Sequence, residues 1–188
     1  MSAHLPPAPA SFAAAPLPDP GSIRTLVAMP AHNEEAAIAK TVLGARRHAD
    51  AVLVVDDGST DETAAIAEAL GAIVVRHETN RGYGGALQTI FSTAREMGAE
   101  ELVIIDADGQ HDPGDIPRLL AEIRGGKDVV IGSRFVEGSA GDIPAYRKVG
   151  MKVLDAATTL AGNGLAITDS QSGFRAYGRR AIEAIHPN

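Results

Sequence analysis

Residues 23–188 read as a single α/β domain with a mostly parallel central sheet flanked by helices. Short apolar, β-rich runs alternate five times with helix-type segments across short turns. The runs are uniformly apolar, as strands covered on both faces must be. A polar cluster follows each run, and in an open parallel sheet those positions share one edge. The chain has 188 residues, 45% of them apolar, which suits one full core and gives no sign of a second domain.

The elements follow in order. The N-terminal stretch over 1–22 is rich in Pro and Ala and reads as a disordered tail without the basic start or apolar centre of a signal peptide. "IRTLVAM" from residue 23 is the first strand, closed by Pro30. Asn33 is placed to cap a helix with Glu34 and Glu35 in its first turn and Arg46, Arg47 and His48 at its end, the charge order a helix dipole favours. "AVLVV" (51–55) is the second strand; Ser59 and Glu62 then have capping-box spacing, and a helix runs to Gly71.

"AIVVR" (72–76) is the third strand and a helix covers about 84–97, stopping at Gly98. "LVIID" (102–106) is the fourth. Asp112 and Pro113 open a helix that ends at Gly125 and Gly126, and "DVVIG" (128–132) is the fifth strand. Beyond 133 the pattern loosens into a loop, a helix over about 146–161 and a turn or strand leading into a last helix. The 146–161 helix carries apolar residues beside Arg147 and Lys148, which suits a membrane-interfacial helix and a core helix equally.

Composition narrows the function. A net charge of -7 makes sequence-independent nucleic-acid binding a poor fit. No Cys is present, which excludes disulfides and thiolate metal sites and fits a reducing compartment. No apolar run approaches the roughly 18 residues that would span a bilayer. The expected location is cytoplasmic, or peripheral at the cytoplasmic face of a membrane.

The chemistry concentrates at the strand ends. Asp106-Ala107-Asp108, taken as extended, puts both carboxylates on one side, with Gln110 nearby. Such an oxygen-only set suits Mg²⁺ or Mn²⁺ shared with a diphosphate; a strand end followed by an ordinary turn at Gly109 is the plainer reading. "VVDDGSTDET" repeats the form. Asp57 could accept from a nucleobase N–H, with Gly58 letting a flat ring approach, yet a helix-capping turn also satisfies the stretch. "NRGYGGA" fails the dinucleotide spacing and reads as a loop whose glycines, Gly82 among them, allow close approach of a ligand or of backbone. Arg134, Arg147, Lys148, Arg175, Arg179 and Arg180 gather after residue 133, where some of them could hold phosphates.

"PAHNE", "VVDDGSTDET", "NRGYGGAL", "DADGQHDP", "IGSRF" and "DSQSGFRAY", in this order over about 24–183, resemble the family 2 glycosyltransferases of GT-A fold, in particular the dolichyl-phosphate mannose synthase and polyprenyl-phosphate glycosyltransferase branch. The resemblance implies an inverting transfer of one sugar from a UDP- or GDP-sugar. It places Pro30, His32, Asn33, Glu34, Asp56, Asp57 and Gly82 around the nucleotide and puts the metal on Asp106, Asp108 and Gln110. Arg134 and Arg175 would meet phosphates, and 136–146 would be the acceptor loop. The family usually has Tyr where His32 stands. No membrane hairpins follow the motifs, so membrane attachment, if any, is expected to be peripheral or through a partner.

An ionised lipid phosphate needs no base to attack, whereas a sugar alcohol does; Asp169 is the one candidate base. The expected acceptor is therefore a polyprenyl or dolichyl phosphate, with Asp108, Arg134 and Asp169 as the catalytic candidates. A saccharide or other non-lipid acceptor, and an inactive nucleotide-sugar-binding scaffold, are the alternatives. A sugar-phosphate nucleotidyltransferase would want Arg and Lys after the first strand, where "PAHNEE" is acidic.

Overall fold

A computed structural model describes residues 23–133, 150–154 and 173–186. The tail over 1–22 lies outside them. So do Arg134, the acceptor loop 136–146, Arg147, Lys148 and Asp169.

The five expected strands form: β1 (Thr25–Ala31), β2 (Ala51–Asp56), β3 (Ile73–Arg76), β4 (Glu101–Ile104) and β5 (Val129–Ser133). Two more, β6 (Gly150–Leu154) and β7 (Arg175–Gly178), join them, and among the described residues the sheet has seven strands in the order β3-β2-β1-β4-β7-β5-β6. β3, β2, β1 and β4 are parallel neighbours. β7 enters antiparallel between β4 and β5, and β6 runs antiparallel along β5. β5 is therefore parallel to β4 without touching it.

Strand alternation divides the core between the two faces. Val27 and Met29 of β1, Val52 and Val54 of β2, and Val103 of β4 pack under α1 (Ile38–Ala45), α2 (Thr63–Ala69) and α4 (Ile116–Arg124). Leu26 and Ala28, Leu53 and Val55, and Leu102 and Ile104 face α3 (Gly82–Glu96) and α5 (Arg179–Ala184). Both faces are covered, as the unbroken apolar runs require. Among the described residues no helix is long and apolar enough to cross a membrane.

Several local expectations are corrected. The helix expected over 146–161 is, in its described part, the strand Gly150–Leu154; Met151-Lys152-Val153 has the two-residue alternation of a strand, which outweighs the helical spacing. Asn33 does not cap α1. That helix begins at Ile38, with Glu34 and Glu35 ahead of it, and Asn33 sits in the left-handed region at φ 55°. Its Oδ1 instead accepts from the Thr60 N–H at 2.9 Å. The Ser59–Glu62 capping box is likewise absent. α2 begins at Thr63, the Ser59 hydroxyl accepts from the Asn33 N–H at 2.9 Å, and the Glu62 N–H goes to Glu35 Oε2 at 3.1 Å. The caps are exchanged between two neighbouring loops, which locks the β1–α1 loop to the β2–α2 loop.

Candidate active site

The carboxyl ends of β1, β2 and β4 open into a cleft of about 420 Å³. Pro30, His32, Glu34, Asp57, Gly82, Asp106 and Asp108 line it, seven of the positions expected from the sequence. Asn80, Tyr83 and Gly173 join them.

The two acids of "VVDDGS" separate by one residue of strand parity. Asp56 is fully buried; its Oδ1 accepts from the Ser59 N–H at 3.2 Å and its Oδ2 lies 3.0 Å from Arg76 Nε. It braces the turn and does not reach the cleft. Asp57 does. Its Oδ1 accepts from the Arg81 N–H at 2.8 Å and from His77 Nδ1 at 2.6 Å. Burial pushes the Asp57 carboxyl up, but these donors outweigh it and hold it below the ordinary carboxylate value.

Gly58 is required by the fold: at φ 73° a β-carbon there would come within 2.8 Å of the Asn80 backbone N in the β3–α3 loop. Asn33 lies outside the cleft, in the loop exchange. His32 lines it with both ring nitrogens engaged: Nδ1–H donates to the Asp57 carbonyl at 2.9 Å, and Nε2 accepts from Asn33 Nδ2 at 3.2 Å. What the ring has left to offer a ligand is its carbon surface.

At the tip of β4, Asp106 and Asp108 both reach the cleft, but not from one extended strand. The chain turns through Ala107, Asp108 and Gly109. Asp108 Oδ1 accepts from the Gln110 N–H at 2.9 Å, so Asp108 belongs to the turn and to the cleft at once. Ala107 is buried between the two acids and anchors them in the core. Gln110 is exposed and does not line the cleft. His111 is buried, its ring tilted by 37° against Phe174 at 5.3 Å and its Nε2 4.0 Å from Asp106 Oδ2. Burial, then the facing carboxylates of Asp108, Asp61 and Asp106, push the Glu34 carboxyl above its ordinary value. The cleft is thus a concentration of negative charge.

That charge fits a divalent cation. Among the described residues no three His, Cys, Asp or Glu side chains converge to cage an ion unaided. Mg²⁺ and Mn²⁺ suit such an incomplete oxygen set, because they keep positions for water and phosphate oxygens.

Arg175 lies in β7 opposite Ile104 and Ile131, 5% exposed and outside the cleft lining. Its charge is felt by Tyr83 and Tyr177. Arg179 and Arg180 pair with Glu183 and Asp128, and Arg180 lies with Asp128 in a second groove at the opposite edge of the sheet.

Tyr83, His77 and Gly173 were not singled out from sequence. Tyr83 stands at the start of α3 with 47% of its surface exposed; partial burial and the Asp106 charge push its phenol up to about 12. An aromatic among three glycines was the signal available for it.

Comparison with known proteins agrees with this geometry. The family model described as glycosyl transferase family 2 matches residues 26–185. The UDP-N-acetylglucosamine–dolichyl-phosphate N-acetylglucosaminyltransferase of Methanococcus voltae is 37% identical over 177 residues, covering 84% of this chain and 70% of that one. The polyprenol monophosphomannose synthase of Mycolicibacterium smegmatis is 34% identical over 180 residues, covering 89% and 68%. Among solved structures, glucosyl-3-phosphoglycerate synthase from Mycobacterium tuberculosis, in complex with Mn²⁺, UDP and glucosyl-3-phosphoglycerate, superposes with a TM-score of 0.57 at 26% identity, over 85% of this chain and 58% of that one. The chain spans about two thirds of the length of such curated relatives and 58% of that solved chain. With the family model matching most of its length and the sheet ending in an acidic cleft of GT-A type, the chain belongs to glycosyl transferase family 2.

Proposed function

We propose that the chain transfers a sugar, with inversion, from a UDP- or GDP-sugar to a polyprenyl or dolichyl phosphate, and that the transfer depends on Mg²⁺ or Mn²⁺. The observation that carries this reading is that Asp57 and the Asp106/Asp108 pair open into one cleft. Asp57 is an ionised acceptor for a nucleobase N–H. Asp106 and Asp108 would hold the cation, which when bound supplies Lewis-acid stabilisation of the departing diphosphate. Arg134 would meet a phosphate group; Arg175, buried in β7 outside the cleft lining, would act on the site only through its charge. A phosphate acceptor is already ionised near neutral pH, so its oxygen attacks without a base.

The lipid acceptor is supported by the relatives named for dolichyl-phosphate and polyprenol substrates. A second reading, a soluble acceptor, is favoured by the solved structure that holds glucosyl-3-phosphoglycerate; Asp169 would then serve as base.

The test supplies the chain with Mn²⁺ and labelled UDP- or GDP-sugars, and offers polyprenyl phosphate, polyprenol or 3-phosphoglycerate. Label extracted into the lipid phase with polyprenyl phosphate alone is the expected result. Label in the water-soluble product alone would move the assignment to the second reading. Metal-independent binding without turnover in any mixture would leave a nucleotide-sugar-binding scaffold.

A further inference from the structure

His77 is 4% exposed and opens the loop after β3. Its backbone N–H donates to the Asp56 carbonyl at 2.9 Å, which extends the β2–β3 ladder by one residue. Its ring bridges two elements: Nδ1 lies 2.6 Å from Asp57 Oδ1, and Nε2 lies 2.8 Å from Thr89 Oγ1 on α3. The Thr89 hydroxyl is also 3.2 Å from the Gly85 carbonyl.

The hydrogen positions follow from the partners. An ionised Asp57 can only accept, so Nδ1 carries its hydrogen toward the carboxylate. In the neutral ring Nε2 accepts from the Thr89 hydroxyl. In the charged ring Nε2–H donates to Thr89 Oγ1, and the hydroxyl turns to Gly85. Either way the ring plane is fixed at both ends and Nδ1–H stays on Asp57. The Arg81 N–H reaches the same oxygen at 2.8 Å. These two donors fix Oδ1, the Gly82 N–H adds a further backbone bond to the carboxylate, and the residue lines the cleft.

A carboxylate selects among nucleobases only if its acceptor oxygen is held in the plane of the base N–H. The backbone N–H groups of Arg81 and Gly82 come from one loop and would let the carboxylate shift with it; His77, tied to α3 through Thr89, holds it from a second direction. We propose that His77, locked by Thr89, is a positioning residue that fixes the Asp57 carboxylate and so sets how strongly the cleft prefers a nucleoside diphosphate over a bare diphosphate. This rests on the reading that the cleft takes a nucleotide donor with its base at Asp57.

The experiment is calorimetric titration of the full chain, in Mn²⁺, with UDP, GDP and inorganic pyrophosphate. The variants are His77→Phe, His77→Asn and Thr89→Val. His77→Phe removes the donor to Asp57 and lowers affinity for the preferred nucleoside diphosphate about tenfold, the loss expected for one hydrogen bond to a charged group. Pyrophosphate affinity stays within about twofold, because the diphosphate end of the cleft is untouched. His77→Asn presents a side-chain N–H in place of Nδ1–H and recovers most of the preference. Thr89→Val frees the far end of the ring and gives a smaller loss of the same selective kind; it carries the test should His77→Phe not fold.

Equal losses for pyrophosphate and nucleoside diphosphate would mean that His77 only stabilises the fold, and would overturn the proposal. So would a full nucleoside preference in His77→Phe or, should that variant not fold, in Thr89→Val. A wild-type chain that binds neither UDP nor GDP better than pyrophosphate would overturn the nucleotide reading itself, and this inference with it.

Discussion

Gly173 lies against Asp106 so closely that a β-carbon at 173 would overlap the Asp106 carboxylate. The contact follows from the sheet order. Ile104 pairs with Arg175, and continuing that antiparallel register by two residues sets Gly173 opposite Asp106. The inserted strand β7 thus gives the tip of β4 a flat floor, and the carboxylate rests on it facing the cleft. Gly173→Ala forces Asp106 to move. The expected result is a drop of at least about tenfold in Mn²⁺-dependent donor affinity, read by titration, with a stability loss of about 1–3 kcal/mol for overpacking. Unchanged metal dependence would show that Asp106 does not need this position.

Asp108 has two functions that one substitution separates. Its Oδ1 holds the turn through the Gln110 N–H. Its charge faces the cleft beside Asp106 and Glu34. Asp108→Asn keeps a carbonyl oxygen for the turn and removes the charge. Melting temperature should stay within about 2 °C, since the turn bond survives. Turnover should fall by about 100-fold or more if the cation is lost from the diphosphate. Equal turnover in Asp108→Asn would remove Asp108 from the metal site.

The sequence made the strands and most of the cleft readable, because both depend on local pattern. Apolar runs of five or so residues mark strands wherever they occur, and the carboxyl-end rule then collects Asp57, Asp106 and Asp108 at one edge. What it could not show depends on partners distant in the chain. "RAYG" carries no mark that it will insert between β4 and β5, so the Gly173–Asp106 contact stayed hidden. Asp56 and Asp57 are chemically identical neighbours; only the observed fold says which is a strut and which faces the cleft. The caps failed for a similar reason. Asn33 and Ser59 have side chains suited to capping their own helices, and tertiary packing gave them each other's loop instead.

Glu101 gives the fold a dependence on pH. It is 5% exposed and accepts from Arg124 Nε and Nη2 at 2.8 Å each and from the Thr25 hydroxyl at 2.8 Å. Burial pushes its carboxyl up, but the Arg124 and Thr25 bonds outweigh it and hold it below the ordinary 4.5. A carboxylate with a depressed folded value contributes stability that is present above 4.5 and is lost as pH falls through the folded value. Glu101→Gln should therefore melt about 2–6 °C below wild type at pH 7, corresponding to roughly 1–2 kcal/mol. The gap should narrow steadily below pH 4.5. A gap independent of pH would mean that the Arg124 pair contributes packing and not charge.

The exchange between the two loops can be taken apart at Asn33. Its side chain accepts from the Thr60 N–H at 2.9 Å, and its backbone occupies φ 55°, where a β-carbon is strained. Asp keeps the acceptor for the Thr60 N–H and is tolerated in that conformation, losing only the donor to His32 Nε2. Gly removes the acceptor and relieves the strain. Ala removes the acceptor and keeps the strain, adding about 1–2 kcal/mol. The expected order of melting temperature is Asn33→Asp, then Asn33→Gly, then Asn33→Ala, with about 0.5–1.5 kcal/mol for the lost bond in the last two. Because His32 and Glu34 flank Asn33 and both line the cleft, donor KM should rise in the same order. Were Ala to equal Gly in both readouts, the left-handed backbone at Asn33 would be relaxing in the variant and the two loops would be held together by Ser59 and Glu35 instead.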